Sequence, residues 1–232
     1  MFSHNEVTMK RVVIPELLDT DSGTPEEIRS SLADLARINR YLGGYRTTSS
    51  LLREVACRAG KTALTFLDVG GGTGEFVHAV ERDLSRSGLQ LHATVLDRML
   101  THLNNGARNG LAGVSGDALS LPFRNESYEV VGSNLFCHHL SPEELVQFLN
   151  EALRVSRIAV IINDLRRNYL HWAGTYAGFL FYRSRMTRHD APASVCRAYT
   201  ANELKTLLSQ TAASEITMKN YYFQRLGIIA WR

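Results

Sequence analysis

Two rhythms of apolar residues alternate along this chain. From residue 63 onward, short β-prone apolar runs are separated by segments with apolar residues at helical spacing. The runs at about 63–69, 91–96, 128–133 and 158–165 read as strands, with a short one near Gly113-Val114-Ser115 and two looser ones at about 215–223 and 225–231. The unbroken run from Ile158 to Ile162 suits a strand covered on both faces. Helices are expected over about 74–86, 98–108, 142–154 and 201–211. Alternation of this kind predicts an α/β fold with a largely parallel sheet.

The first 60 residues follow the helical rhythm alone. Thr24-Pro25-Glu26-Glu27 has the form of a capping box with proline at the first helical position. Leu32, Leu35, Ile38, Tyr41 and Leu42 continue that helix until Gly43-Gly44 stops it. A second helix at about 46–59 carries Leu51, Leu52 and Val55. Residues 1–23 show no clear period, although Ile14-Pro15-Glu16-Leu17-Leu18 is apolar enough to pack on the main domain. The expected division is an N-terminal helical cap over 1–60 and an α/β domain over 61–232.

The densest chemistry lies where the first strand ends. Thr65 to Val69 runs into Gly70-Gly71-Gly72-Thr73-Gly74, with Asp68 just ahead of the turn. Glycines permit a tight turn and a close approach of backbone to ligand. A dinucleotide fingerprint beginning at Gly70 and Gly72 would need a further glycine where Glu75 stands. The pattern is instead D-x-G-x-G-x-G. With Asp97 at the end of the second strand and Gly116-Asp117-Ala118-Leu119-Ser120-Leu121-Pro122-Phe123 after the third, the chain resembles the class I S-adenosylmethionine (SAM)-dependent methyltransferases. The resemblance covers about 61–231. It looks closest to the small-molecule branch that includes ubiquinone, menaquinone and polyketide-tailoring enzymes.

That resemblance implies a Rossmann-like, doubly wound, seven-stranded sheet, mostly parallel with an antiparallel last strand, plus an N-terminal helical cap. It implies SAM as cofactor and S-adenosylhomocysteine as product. Asp68, Gly70, Gly71, Gly72 and Gly74 would form the cofactor turn. Asp97 would bind the ribose hydroxyls, with Arg98 beside it, although an Asp there also suits a helix cap. Asp117 would accept from the adenine amino group, Ala118 would meet a ring nitrogen, and Met99 and Leu119 would sandwich the base; a Gly/Asp-rich β-turn is the plainer reading of that stretch. Asn134 and Leu135 would lie beside the methionine end.

The acceptor side is less defined. His138 and His139 sit on the loop after the fourth strand, and an imidazole there is a candidate base for an acceptor hydroxyl. His138 is the expected base, with His139 positioning. Asp164 is expected to pair with Arg166 or Arg167. Residues 166–190 read as an aromatic helix with basic ends, holding Tyr169, Trp172, Tyr176, Phe179, Phe181 and Tyr182. The substrate candidates are Tyr41, Tyr45, Arg46, His138, Arg166, Trp172 and Tyr176. An apolar or aromatic acceptor fits best, such as a phenol, quinol or polyketide-like compound methylated at oxygen or carbon. Rival readings are an RNA or protein methyltransferase, or a SAM-binding partner protein without turnover. The segment Ser133-Asn134-Leu135-Phe136 lacks the prolines of amino-methylating nucleic-acid enzymes.

Bulk properties exclude little else. Net charge is +3, which does not call for nucleic acid, and no DNA partner is expected. The three cysteines, Cys57, Cys137 and Cys196, have neither disulfide-framework nor zinc-site spacing, so no metal is expected and a cytoplasmic setting fits. No apolar run is long enough to cross a membrane, and only weak membrane-surface contact by the aromatic segment is in view. A monomer or homodimer is expected.

Overall fold

The computed structural model describes residues 9–20, 22–100, 103 and 112–232. Seven strands form one sheet: β1 (Ala63–Val69), β2 (Gln90–Asp97), β3 (Ala112–Ser115), β4 (Tyr128–Asn134), β5 (Ser156–Leu165), β6 (Glu215–Tyr221) and β7 (Arg225–Trp231). Their order is β3-β2-β1-β4-β5-β7-β6. The first five pair in parallel, and β7 runs antiparallel to both β5 and β6. The winding reverses between β1 and β4. A crevice therefore opens beyond the carboxyl ends of those two strands, where this architecture binds its ligands.

Helices cover both faces. They are α1 (Pro25–Tyr41), α2 (Gly44–Ala59), α3 (Glu75–Ser85), α4 (Pro142–Val155), α5 (Tyr169–Ala177), α6 (Arg185–Arg197) and α7 (Ala201–Leu208). Alternate residues of the central strands serve opposite cores. Leu67, Val160, Ile162 and Ile228 pack with Leu145, Phe148 and Leu149 of α4 and Leu204 of α7. Leu64, Phe66, Ile161 and Ile229 pack with Leu51, Leu52 and Val55 of α2 and Val77 and Val80 of α3. Burial on both faces explains why the central strands read as continuous apolar runs. Capping boxes start α1, α4 and α7, through Thr24 with Glu27, Ser141 with Glu144 and Thr200 with Glu203.

Two expectations need adjusting. The single aromatic helix over 166–190 is two helices. Ser184 caps α6 by accepting from Met186 N, and Asp34 Oδ2 accepts from the amides of Arg183 and Ser184 at 2.9 Å each. Those amides are thus taken by α1 and cannot extend α5. The second helix begins at Gly44, two residues early, because Gly43 in the left-handed region (φ +78°) turns the chain directly into it. The helix expected over 98–108 falls largely outside the described residues. Residues 9–20 form a strap: Val12 N donates to Cys196 O, Leu17 N and Leu18 N donate to Asp190, and Arg11 reaches the carbonyls of His138, Leu140 and Arg197.

One buried cation joins the helical N-terminus to the sheet. Arg225, at the start of β7, is 1% exposed. It donates to Asn39 Oδ1 of α1 (2.9 Å), Leu42 O (3.2 Å), Asn134 Oδ1 of β4 (3.3 Å) and Asn163 Oδ1 of β5 (3.2 Å). Asn163 in turn donates to Gly44 O and Thr48 Oγ1 of α2. Burial pulls the guanidinium down to about 10, only partly offset by Asp164, so it remains protonated at neutral pH. Arg225→Met should lower stability by about 2–4 kcal/mol, because buried amide oxygens lose their donors. Urea unfolding measures this, and a loss under about 1 kcal/mol would contradict the assigned role.

Candidate active site

β1 delivers the glycine turn to the crevice. Gly70 (φ +71°), Gly72 (φ +56°) and Gly74 (φ +72°) all take left-handed conformations, which disfavour side chains. Gly70 N donates to Leu96 O at 2.8 Å, so the turn is stitched to the end of β2. A Cβ on Gly71 would come within 2.6 Å of Asp68 Oδ2 and 2.9 Å of Val95 Cγ1. A Cβ on Gly72 would meet nothing within 4 Å. The turn is therefore packed on its inner side and open on its outer side, as a backbone surface for a ligand would be.

The carboxylates around the turn have different states. Asp97 Oδ2 accepts from Gly72 N at 2.9 Å and Oδ1 from Met99 N at 2.8 Å. Both oxygens thus brace the turn and the start of the next segment. Asp68 is 1% exposed, and its Oδ2 has no hydrogen-bond partner. Burial, reinforced by the charge of Asp97, pushes its carboxyl up to about 7. Asp117 Oδ1 accepts from Leu119 N at 2.9 Å, so the stretch does form the local turn, with Ala118 buried and Asp117 exposed. Arg98 is exposed and Met99 half-buried at the same end.

Helix α1 closes the crevice. A cleft of about 140 Å³ is lined by Asp68, Gly70–Gly72 and Thr73 on the β1 side and by Asn134 and Leu135 on the β4 side. Leu32, Leu35, Ala36 and Asn39 of α1 and Tyr45 of α2 form its outer wall. Tyr45 is held there by donating to Ala36 O at 3.2 Å and by packing on Phe76, ring centroids 5.3 Å apart. Leu135 adopts φ +53°, a strained conformation for a leucine, fixed by its N–H donating to Asn163 O at 2.9 Å.

The other side of α1 borders a larger cavity of about 790 Å³. Ile38, Tyr41 and Leu42 face it from α1, Leu170, His171 and Gly174 from α5, Phe181 and Tyr182 from the segment after α5, and Phe223 from the turn between β6 and β7. Arg37 and Arg183 also line it. Of the expected substrate contacts, Tyr41 lines this cavity and Tyr45 the cleft. Trp172 and Tyr176 lie on neither lining. They pack edge-to-face on each other at 5.0 Å, on the side of α5 turned from the cavity. Arg46 is exposed and lines neither space. Arg166 contributes its backbone: its carbonyl accepts from His171 Nδ1 at 2.9 Å.

The histidine pair does not behave as expected. His138 is 2% exposed, with Nδ1 2.7 Å from Asp164 Oδ1 and Nε2 3.5 Å from Glu16 Oε1 of the strap. Burial alone would favour the neutral ring, but the charges and hydrogen bonds of Asp164 and Glu16 outweigh it and raise His138 to about 10. An enclosed imidazolium has no lone pair to accept a proton, which corrects the expectation that His138 is the base. Asp164 is correspondingly paired with His138 instead of Arg166 or Arg167. Arg167 bonds Glu203 and the carbonyls of Met9 and Ala198. His139 bonds Asp19 at 3.0 Å.

The sequence reading overlooked His171, Asn39 and Arg225. His171 stands among aromatics that mask it, and its one sequence signal is the capping asparagine Asn168 three residues before, whose Oδ1 accepts from His171 N. Asn39 and Arg225 carry no local signal, since their partners lie far away in sequence.

Residues 66–158 match a family described as a methyltransferase domain. The chain thus carries a methyltransferase domain, and its fold is that of solved class I S-adenosylmethionine-dependent methyltransferases. Solved structures agree in fold across nearly the whole methyltransferase. The plantazolicin methyltransferase BpumL in complex with S-adenosylhomocysteine superposes with TM-score 0.67 at 14% identity, covering 94% of this chain and 95% of that one. A SAM-dependent methyltransferase from Aquifex aeolicus gives 0.55 at 16% identity, covering 78% and 87%. A protein from Nostoc punctiforme provisionally assigned as an O-methyltransferase gives 0.58 at 16% identity; 82% of this chain is covered, which spans 56% of that protein. No curated protein sequence matches the methyltransferase. The residues present suit SAM: the open outer face at Gly72 admits a ligand against the backbone, and the unpartnered buried carboxyl of Asp68 favours a cationic one.

Asp68 makes stability depend on pH. Its carboxyl ionises near 3.8 in the unfolded chain and near 7 in the fold. The folded state therefore holds the proton more tightly. Its stabilising effect is full below pH 3.8 and is lost as pH rises to 7. From pH 5 to pH 8 the protein without ligand should lose on the order of 1–3 kcal/mol through this group. Asp68→Asn should flatten that part of the profile. Denaturant midpoints at the two pH values measure it, and parallel profiles for the two proteins would contradict the assignment.

Proposed function

We propose that this methyltransferase transfers the methyl group of SAM to a small apolar or aromatic acceptor held in the 790 Å³ cavity. The observation that carries the reading is the position of α1. One face of the helix walls the cleft at the glycine turn and the other walls a cavity whose lining is mainly aliphatic and aromatic, so an acceptor held there would reach past the helix to meet the methyl group. Pockets of this size and character suit drug-sized apolar ligands. A phenol, quinol or polyketide-like compound fits, methylated at oxygen or carbon. The structure of BpumL in complex with a triazolic desmethylPZN analogue and S-adenosylhomocysteine lends support.

The cofactor contacts follow the same reading. Gly70–Gly74, Asp97 with Arg98 and Met99, Asp117–Leu119, and Asn134 with Leu135 would hold SAM, with Asp68 supporting the turn from beneath. Bound SAM supplies a methyl group activated by its sulfonium. The chain's own task is mainly alignment, which in well-oriented reactions accounts for about 7–11 kcal/mol of barrier.

His171 is the better base. Its Nδ1–H donates to Arg166 O, because a carbonyl only accepts. In the neutral ring Nε2 therefore carries the lone pair. Burial, helped by Arg225 and opposed by the Arg166 hydrogen bond, holds its pKa below the usual histidine value. The ring is thus neutral at physiological pH and borders the proposed acceptor cavity. A phenolic hydroxyl placed there would lose its proton to Nε2 as its oxygen attacks.

Two variants test the proposal. Gly174 lines the cavity, and a Cβ there meets nothing within 4 Å. Gly174→Phe should fill the space, cutting kcat/KM at least tenfold on phenol and quinol acceptors while SAM affinity stays within about twofold. Release of S-adenosylhomocysteine from an acceptor panel measures turnover. Transfer unaffected by the substitution would place the acceptor elsewhere. His171→Asn should lower kcat on a hydroxyl acceptor about 10²-fold or more and remove the acidic limb of its pH profile; an unchanged limb would exclude His171 as base.

A further inference from the structure

The strap and the turn after β4 bring three potential metal ligands together. Glu16, His138 and His139 each offer one ligand atom, and these atoms lie within 4.8 Å of one another. Glu16 is 8% exposed and His138 2%. Glu16 Oε1 and His138 Nε2 face each other at 3.5 Å, and neither has a hydrogen-bond partner. Their contact is a long ion pair without a hydrogen bond. Their separation is close to the spacing of about 3.3 Å between neighbouring ligands of a tetrahedral ion with bonds of about 2.0–2.1 Å.

The surroundings have the form of a metal's outer shell. His138 Nδ1 is held by Asp164 Oδ1 at 2.7 Å, and Asp164 Oδ2 also accepts from His138 N. His139 Nδ1 is held by Asp19 Oδ2 at 3.0 Å. Metal-binding histidines ordinarily donate their other ring nitrogen to a carboxylate in this way, which orients the ring and raises its basicity. Arg197 reaches both Asp19 (3.0 Å) and Glu16 (3.6 Å). Three carboxylates thus surround two imidazoles, with the guanidiniums of Arg197 and Arg11 alongside, and an ion bound at His138 would displace the proton that ring holds without it.

We infer that Glu16, His138 and His139 form a binding site for a divalent transition-metal ion of the zinc type, clamping the strap to the carboxyl end of the sheet. Two imidazoles and one carboxylate select zinc, cobalt or iron(II) over magnesium or calcium. The three ligands come from the strap and from the 137–139 turn, and the outer shell adds β5. The ion would therefore fix residues 9–20 against the β4 turn. The inference is independent of the acceptor assignment.

The test uses the full, untagged chain, stripped with dipicolinate and titrated with Co²⁺ and Zn²⁺. We expect one ion per chain with submicromolar Zn²⁺ affinity, visible Co²⁺ absorption bands of a four- or five-coordinate site, and no comparable response to Mg²⁺. Glu16→Gln and His139→Ala should each weaken Zn²⁺ at least 100-fold, and Asp164→Asn about 10–100-fold, with far-ultraviolet circular dichroism confirming the fold. His139 is partly exposed, so its variant carries the test if Glu16→Gln misfolds. Absence of Zn²⁺ binding below about 10 µM, or binding unchanged in a folded Glu16→Gln or His139→Ala variant, would overturn the site.

Discussion

The buried guanidinium of Arg225 is the constraint on which the arrangement depends. A cation at 1% exposure costs several kcal/mol to desolvate unless its donors are satisfied. Its donors are met by Asn39, Leu42, Asn134 and Asn163, groups from α1, the α1–α2 junction, β4 and β5. The helix that walls the cofactor cleft is thus tied to the strand ends that form the cleft's floor. Asn134 and its strained neighbour Leu135 are positioned by the same set of contacts, through Arg225 and Asn163.

Fixing α1 creates two compartments from one helix. Leu32, Leu35, Ala36 and Asn39 look toward the glycine turn, whereas Ile38, Tyr41 and Leu42 look toward the apolar cavity. The two spaces therefore lie on opposite sides of one helix. Burial favours a neutral ring at His171, while two carboxylates favour a protonated ring at His138 when no ion is bound. The same residue type is driven to opposite states by its surroundings. His138 serves instead to bind the strap to the turn after β4.

The local parts of this design could be read from the sequence. Glycine spacing with Asp68 and Asp97 identified the turn, and alternation of apolar runs placed most strands within a residue or two. The capping box at Thr24 marked a helix start because it is a contact between residues three apart, and Ser141 and Thr200 make the same contact in the structure. What could not be read depends on distant partners. Asp164 is 26 residues from His138 in sequence, and Arg225 is 186 from Asn39. The aromatic stretch looked like one helix because its breaker, Asp34, lies on α1. His171 gained its role from a backbone carbonyl and from burial, neither of which has a sequence signature.

The central claim is that the open glycine turn, closed over by α1, is a SAM site. Calorimetric titration of the purified protein with SAM, S-adenosylhomocysteine and NAD tests it most directly. The account predicts one site with micromolar or tighter affinity for the first two, no binding of NAD, and loss of binding in Gly72→Val, whose side chain would occupy the open face. Failure to bind SAM, or equal affinity in the folded Gly72→Val variant, would contradict it.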